Sequence, residues 1–241
     1  MANNWDTQYY NQPTVAELKQ NAAKSASKAK KKGLIYDPVI VQGRKICSSW
    51  WGMAWCENLE RYADYESRID RGKRYVRNGS VIDLQIEPGL IKAKVQGSRK
   101  APYKVEIHIA PLSKNKCQSI MKQCGRKLGS LETLLSGNFP DDMKDLFFQK
   151  NGLFPSPKEI SFSCSCPDWA LMCKHVAATL YGVGTRFDRD PLLFFTLRKI
   201  DINHFIDVTI QDRVDTMLTN AKSKTDRMLD SDDLTSIFGN L

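Results

Sequence analysis

Between residues 164 and 175 the chain sets three cysteines and a histidine, Cys164, Cys166, Cys173 and His175, in the order C-x-C-x6-C-x-H. Three thiolates and one imidazole are a standard tetrahedral zinc set. Glu159 to Phe162 reads as a short strand, and alternate strand residues share a face, so Cys164 and Cys166 project together. Pro167 and Asp168 turn the chain, and Val176, Leu180 and Val183 then recur at helical spacing. Cys173 and His175 therefore fall on the turn entering a helix, opposite the strand. A site filled by four protein ligands has no open position, which makes the expected single zinc ion structural rather than hydrolytic. Its binding free energy, on the order of 10 kcal/mol, would largely be folding energy of this small module. Two other readings fit the same residues: buried free cysteines beside a core histidine, or a Cys–His nucleophile pair. The second needs an oriented base and an oxyanion site, and the sequence supplies neither. The other cysteines, Cys47, Cys56, Cys117 and Cys124, are scattered, and seven is an odd total, so no disulfide framework is expected.

Elsewhere the hydrophobic pattern predicts an α+β chain. Thr14 and Glu17 form a capping box for a helix from about Val15 that ends in Lys28, Lys30, Lys31 and Lys32 before Gly33. Residues 46–65 read as a helix with Trp51, Trp55, Leu59 and Tyr62 on its core stripe and Ser48 or Ser49 as its cap. Three alternating segments follow: Ile82, Leu84 and Ile86; Ile91, Ala93 and Val95; Val105, Ile107 and Ile109. With Pro88-Gly89 as a tight turn and a longer loop from Gly97 to Pro102, they predict an antiparallel meander. Its outer face should carry Asp83, Glu87, Lys92, Lys94, Lys104, Glu106 and His108, a mixture too balanced to track phosphates. Residues 113–150 look helical, broken at Gly125, Gly129 and Gly137 and restarted at Pro140-Asp141-Asp142. Phe154-Pro155-Ser156-Pro157 reads as a linker.

Charge is unevenly spread. The net value is +9, but residues 201–241 hold 4 basic and 8 acidic side chains. A basic body with an acidic tail points to a polyanionic partner. In a meander, the start of the first strand and the end of the second lie at one end of the sheet. Arg68, Arg71, Lys73, Arg74 and Arg77 precede the first strand, and Arg99 and Lys100 follow the second, so the two segments should converge. Arginine forks suit phosphates, and Tyr75 could stack a base. Lys174 and Arg186 should lie near the zinc module.

The motif closely resembles the SWIM zinc finger, whose pattern is C-x-C-x(n)-C-x-H. The resemblance is carried by residues 159–185, including CPDW and CKHVAATLYG. It extends upstream through WWGMAW, RGKRYVRNGSVIDLQIEPG and VQGSRKAPYKVEI, which look like the amino-terminal region of prokaryotic SWIM proteins. It implies that Cys164, Cys166, Cys173 and His175 ligate zinc. It also implies DNA-binding or protein-interaction roles, with bacterial members linked to SWI/SNF-type helicases and others to recombination or transposase proteins. The expected organisation is a basic arm (1–33), an amino-terminal α+β domain with meander and helices (34–157), a small ββα-like SWIM zinc module (158–200) and an acidic helical tail (201–241).

Two functions follow as expectations. One is a nucleic-acid-binding accessory protein that grips DNA through the basic patch, working with a SWI/SNF-type helicase. The other is a protein–protein adaptor with no direct nucleic-acid contact, suggested by the tail. There Ile210, Val214, Met217, Leu218 and Ala221 form an apolar stripe expected to pack on its own domain, and Asp230, Asp232 and Asp233 precede Leu234, Ile237 and Phe238. No P-loop, hydrolase metal motif or nucleophile elbow is present, so no enzyme activity and no small-molecule substrate are expected. MANNWDTQYY lacks a secretory signal's apolar stretch, and no run approaches the roughly 18 apolar residues of a membrane span, so the expected location is cytoplasmic, or on the nucleoid if DNA is bound.

Overall fold

The structure, a computed structural model, describes residues 13–125, 141–148 and 152–222. Its centre is a four-stranded antiparallel sheet in the order β1 (Val81–Glu87), β2 (Leu90–Val95), β3 (Tyr103–Ile109) and β4 (Ile160–Cys164). The first three strands are the meander read from the alternation. Glu87 pairs with Leu90 across the Pro88-Gly89 turn, where Gly89 takes φ 77°, a left-handed value that favours glycine. Lys104, Glu106 and His108 alternate outward to solvent with Val105, Ile107 and Ile109 inward.

Two details depart from strict alternation. A bulge between Val81 and Asp83 interrupts the period of two. Leu84 faces the core helix beside Gly182, whereas Ile82 lines a cleft with Ala22 and Ala23. The segment after Gly33 also runs along β1, with Val39 N–H donating to Val81 and Leu84 N–H to Asp37. That cover closes the sheet edge. It also buries Asp83, expected in solvent, which accepts from Asp37 N–H and from Lys94 at 3.1 Å.

β4 pairs with β3 in register from Ile109–Ile160 to Val105–Cys164. The expected amino-terminal domain and zinc module therefore share one sheet. The connection that the sequence predicts to be a linker is itself packed: the Phe154 ring centroid lies 5.0 Å from that of Phe147 and 6.2 Å from that of Trp55, and Pro155 O accepts from Tyr62 at 2.9 Å. No such contact could be inferred from a Pro-rich tetrapeptide.

Helices form two further layers. α1 (Val15–Lys31), capped as read by the Thr14–Glu17 box, lies against β1 and buries Leu18, Ala22 and Ala29. α2 (Trp50–Glu60) is capped by Ser49, which accepts from Gly52 N–H, and presents Trp55 and Leu59 inward. α3 (Glu66–Arg77) is a full helix where the sequence reading saw only a basic lead-in to the first strand. α4 (Lys114–Gly125) and α5 (Lys144–Phe148) follow β3; Gly129 and Gly137 lie outside the described residues. α6 (Lys174–Arg189) is the central element. It packs on the sheet on one side and on α2 and α3 on the other. Every residue from His175 to Thr185 is buried, as expected of a helix sandwiched between layers. Trp55 Nε1 donates to Leu180 O at 3.0 Å, and Trp51 Nε1 to Phe187 O at 2.8 Å, tying α2 to it. α7 (Leu193–Leu197) delivers Arg198, fully buried and bonded to Ala110 O and Glu159.

α8 (Ile202–Lys222) packs against α4. Its stripe of Ile210, Val214, Met217 and Leu218 is 41 to 55% exposed rather than packed on its own body. Asp230, Asp232, Asp233, Leu234, Ile237 and Phe238 lie outside the described residues.

α3 reaches α6 only because Gly72 has no side chain. A Cβ there would stand 2.5 Å from Ala177 Cβ and 3.0 Å from Ala178 N. Gly72→Val should therefore push the two helices apart and cost about 1–3 kcal/mol, the usual range for overpacking. Urea unfolding of the variant checks this; an unchanged midpoint would contradict the packing.

Candidate metal centre

β4 and α6 meet at one corner of the sheet. Cys164 is the last residue of β4, and Cys166 follows two residues on. Cys173 is the N-cap of α6, and His175 lies in its first turn. The three sulfurs and one imidazole nitrogen all fall within 4.8 Å of one another. His175 Nδ1 is 3.8 Å from Cys164 Sγ and 4.0 Å from Cys173 Sγ. The edges of a zinc tetrahedron with these donors are about 3.6–3.8 Å, from metal bonds of roughly 2.0–2.3 Å. The cluster is thus the right size and chemistry for a soft divalent ion and could hold one. The four residues read from the motif are brought together, by the strand-plus-helix-start arrangement that the spacing suggested.

Electrostatics favour a cation. The hydrogen bond from Cys164 is the strongest influence holding the Cys173 thiol down, to about 4, and His175 and the Val176 N–H at the helix start assist. The same bond, with burial, pushes Cys164 well up, and burial raises Cys166. Burial also lowers His175, favouring the neutral imidazole that a metal requires. The pull on Cys173 and the burial of its neighbours give the cluster a polarity that a cation would satisfy.

Around the donors is a shell that the sequence did not reveal. Tyr103 stacks on His175 with centroids 4.1 Å apart and planes at 24°, and Tyr75 meets it edge-on at 5.6 Å. Gly97 closes over the ring: a Cβ there would lie 3.3 Å from His175 Nε2. The loop between Cys166 and Cys173 is clasped from α3 and the turn before it. Asp64 accepts from the N–H groups of Leu171 and Met172 at 2.8 and 3.3 Å, and Asp168 pairs with Arg68 at 2.9 Å. Carboxylates and aromatic rings of these kinds occur throughout the chain, so nothing local marked them. Only topology brings Asp64 within reach of residue 171.

The expected basic patch is partly assembled and partly spent. Arg68 is committed to Asp168, and Lys73 to Glu60 at 2.9 Å. Tyr75 is 3% exposed and belongs to the core, so it cannot stack a base. Arg186 sits at the far end of α6, paired with Asp37 at 2.6 Å, away from the cluster. Arg71 is half-buried on α3, and Arg74 and Arg77 are exposed there. Arg99 and Lys100 are exposed on the loop after β2; the Arg99 guanidinium lies 5.2 Å from the Tyr103 ring, and Lys174 Nζ lies 5.9 Å from Tyr75. Arg99 and Lys174 thus flank the metal centre through the two rings that hold His175.

If the cluster holds zinc, Cys166→Ser should lower the metal from about one ion per chain and open residues 159–185 to protease, because a bound metal would carry the local folding energy. Full zinc content with native protease resistance would contradict the ligand set. Because Cys164 and Cys166 hold protons that the metal must displace, zinc affinity should fall as the pH drops from 8 to 6, by about tenfold per pH unit for each proton released. Competition against a chromophoric chelator measures this, and a flat profile would contradict it.

Among known proteins, this chain is similar to "Uncharacterized protein Rv2102" of Mycobacterium tuberculosis, 38% identical over 155 residues. The match takes in 64% of this chain, which spans only 56% of that relative's length. No protein-family model matches the chain. No solved structure matches it.

Proposed function

We propose that this is a non-catalytic, zinc-binding protein of SWIM type that binds nucleic acid, DNA foremost, as an accessory to a SWI/SNF-type helicase. The zinc is structural: it joins the end of the sheet to the start of the central helix and completes a surface rather than a reaction centre. The observation that carries the nucleic-acid reading is that α1 meets two other basic segments, remote in sequence, in two clefts. The end of α3 places Arg77 in a cleft with Lys19 of α1. The loop after β2 places Lys100 in a second cleft with Lys28, Lys31 and Lys32 of α1. The expected basic arm therefore borders parts of the expected basic patch, Arg77 in one cleft and Lys100 in the other. Neighbouring Arg99 and Lys174 extend it towards the metal centre. The helicase partnership rests on the SWIM resemblance of residues 159–185 and the segments upstream. A cytoplasmic, nucleoid-associated location belongs to the same reading; no helix among the described residues is long and apolar enough to cross a membrane.

A second reading, the adaptor, is favoured by the exposed stripe of α8, where Val214, Met217 and Leu218 stand in solvent. The knuckle offers more of the same: Trp169 is 78% and Leu171 77% exposed. Apolar surface held out on rigid elements suits protein docking.

Binding to a DNA duplex should weaken steeply with salt, because phosphate neutralisation releases counterions. Fluorescence anisotropy between 50 and 200 mM salt measures the slope; no binding at the lowest salt would overturn the nucleic-acid reading. Removing residues 205–241 should leave that affinity intact while abolishing co-purification of a helicase under nuclease treatment. Retained co-purification would place docking elsewhere.

A further inference from the structure

The cleft between the end of α1 and the loop from Gly97 to Pro102 has a volume of about 460 Å³. One wall carries Lys28, Lys31 and Lys32, the other Lys100, Ala101 and Pro102, with Tyr36 between them. All four lysines are exposed, and among the described residues no carboxylate lines the cleft. Four like charges facing one concavity repel each other and are relieved by an anion with several separated negative groups.

The cleft is a built feature rather than a chance of surface side chains. Gln96, 1% exposed, fixes both walls at once. Its Oε1 accepts from Ser25 of α1 at 2.6 Å, and its Nε2 donates to Arg99 O at 2.6 Å and Gly97 O at 3.1 Å. The loop wall is further seated on the metal centre, since Gly97 closes over His175 and Tyr103, just beyond the loop, stacks on that imidazole. The width of the cleft is therefore set by buried contacts, and a fixed spacing is what a repeating anionic backbone needs.

We infer that this cleft is the grip for the phosphate backbone of the nucleic acid, with Lys31, Lys32 and Lys100 contacting successive phosphates from its two walls. This rests on the nucleic-acid reading above and goes beyond it by assigning the contact. A single anionic headgroup would engage one part of such a cleft. A nucleic-acid backbone continues beyond it, towards Arg99, which adjoins Lys100 on the same loop. The contact is to backbone, so it is independent of base sequence.

The test compares two triple variants of the full, zinc-loaded chain: Lys31→Ala, Lys32→Ala and Lys100→Ala in the cleft, and Lys45→Ala, Lys104→Ala and Lys158→Ala outside it. All six lysines are exposed, and both variants lose the same charge. Zinc content and melting confirm that each is folded. Duplex affinity is measured against salt, with anionic phosphatidylserine vesicles as a second probe. The cleft variant is expected to lose at least tenfold in affinity and about three from the salt slope, one per phosphate contact. The outside variant should keep the wild-type slope. Equal losses in both variants, or an unchanged slope in the cleft variant while the wild type binds, would overturn the cleft assignment and leave the nucleic-acid reading standing. Wild-type protein that binds vesicles but no duplex would overturn both.

Discussion

The meeting of β4 with the start of α6 through Cys164, Cys166, Cys173 and His175 is the constraint on which the rest of the fold depends. α6 is buried almost all round, and along its body it is held by close packing and by bonds such as those from Trp55 to Leu180 O and from Trp51 to Phe187 O. At its first turn, four donors lie within 4.8 Å of one another, and a shared metal ion would fix that turn relative to the last residue of β4. From that point α6 registers Gly72 of α3 against Ala177, Leu84 of β1 against Gly182, and Trp55 of α2 against Leu180. One corner of the sheet thus sets the relation of the sheet layer to the helical layers.

The same corner organises the surface. The rings that enclose His175 are reached from outside by cations, Arg99 over Tyr103 and Lys174 near Tyr75. Gly97 and Tyr103 belong to, or adjoin, the loop that forms one wall of the lysine cleft. A structural metal would then serve binding without touching the ligand, by holding the loop that does. Three sulfurs and a nitrogen would fill the four positions of a tetrahedral ion.

Much of this was legible because it depends on local pattern. The ligand spacing, the period of two in β1 to β3, the Thr14–Glu17 capping box, the Pro88-Gly89 turn and the Ser49 cap all act within a few residues. The rest depends on contacts across long separations. α3 was missed because Glu66–Arg77 is rich in charge, with Gly72 on its inward face and only Ile69, Tyr75 and Val76 to show a stripe. Beside basic neighbours Tyr75 reads as able to stack a base, although it packs against His175. The addition of β4 to the meander has no local signature, since it joins residues more than fifty positions apart. Asp83 looked like an outer-face residue until the segment around Asp37 covered it. The meeting of the basic arm with the basic loop likewise rests on contacts between residues far apart in sequence, such as the bond from Ser25 to Gln96.

The claim that most needs testing is that a metal ion ties β4 to α6. Elemental analysis of freshly purified protein, paired with thermal melting before and after treatment with a strong chelator, addresses it directly. About one zinc per chain, and a melting transition that falls or loses its cooperativity on chelation and returns with added zinc, is the result this account predicts. Metal-free protein whose melting is untouched by the chelator would mean that the four residues are an apolar-core cluster of thiols beside a stacked imidazole, and the architecture would need another origin.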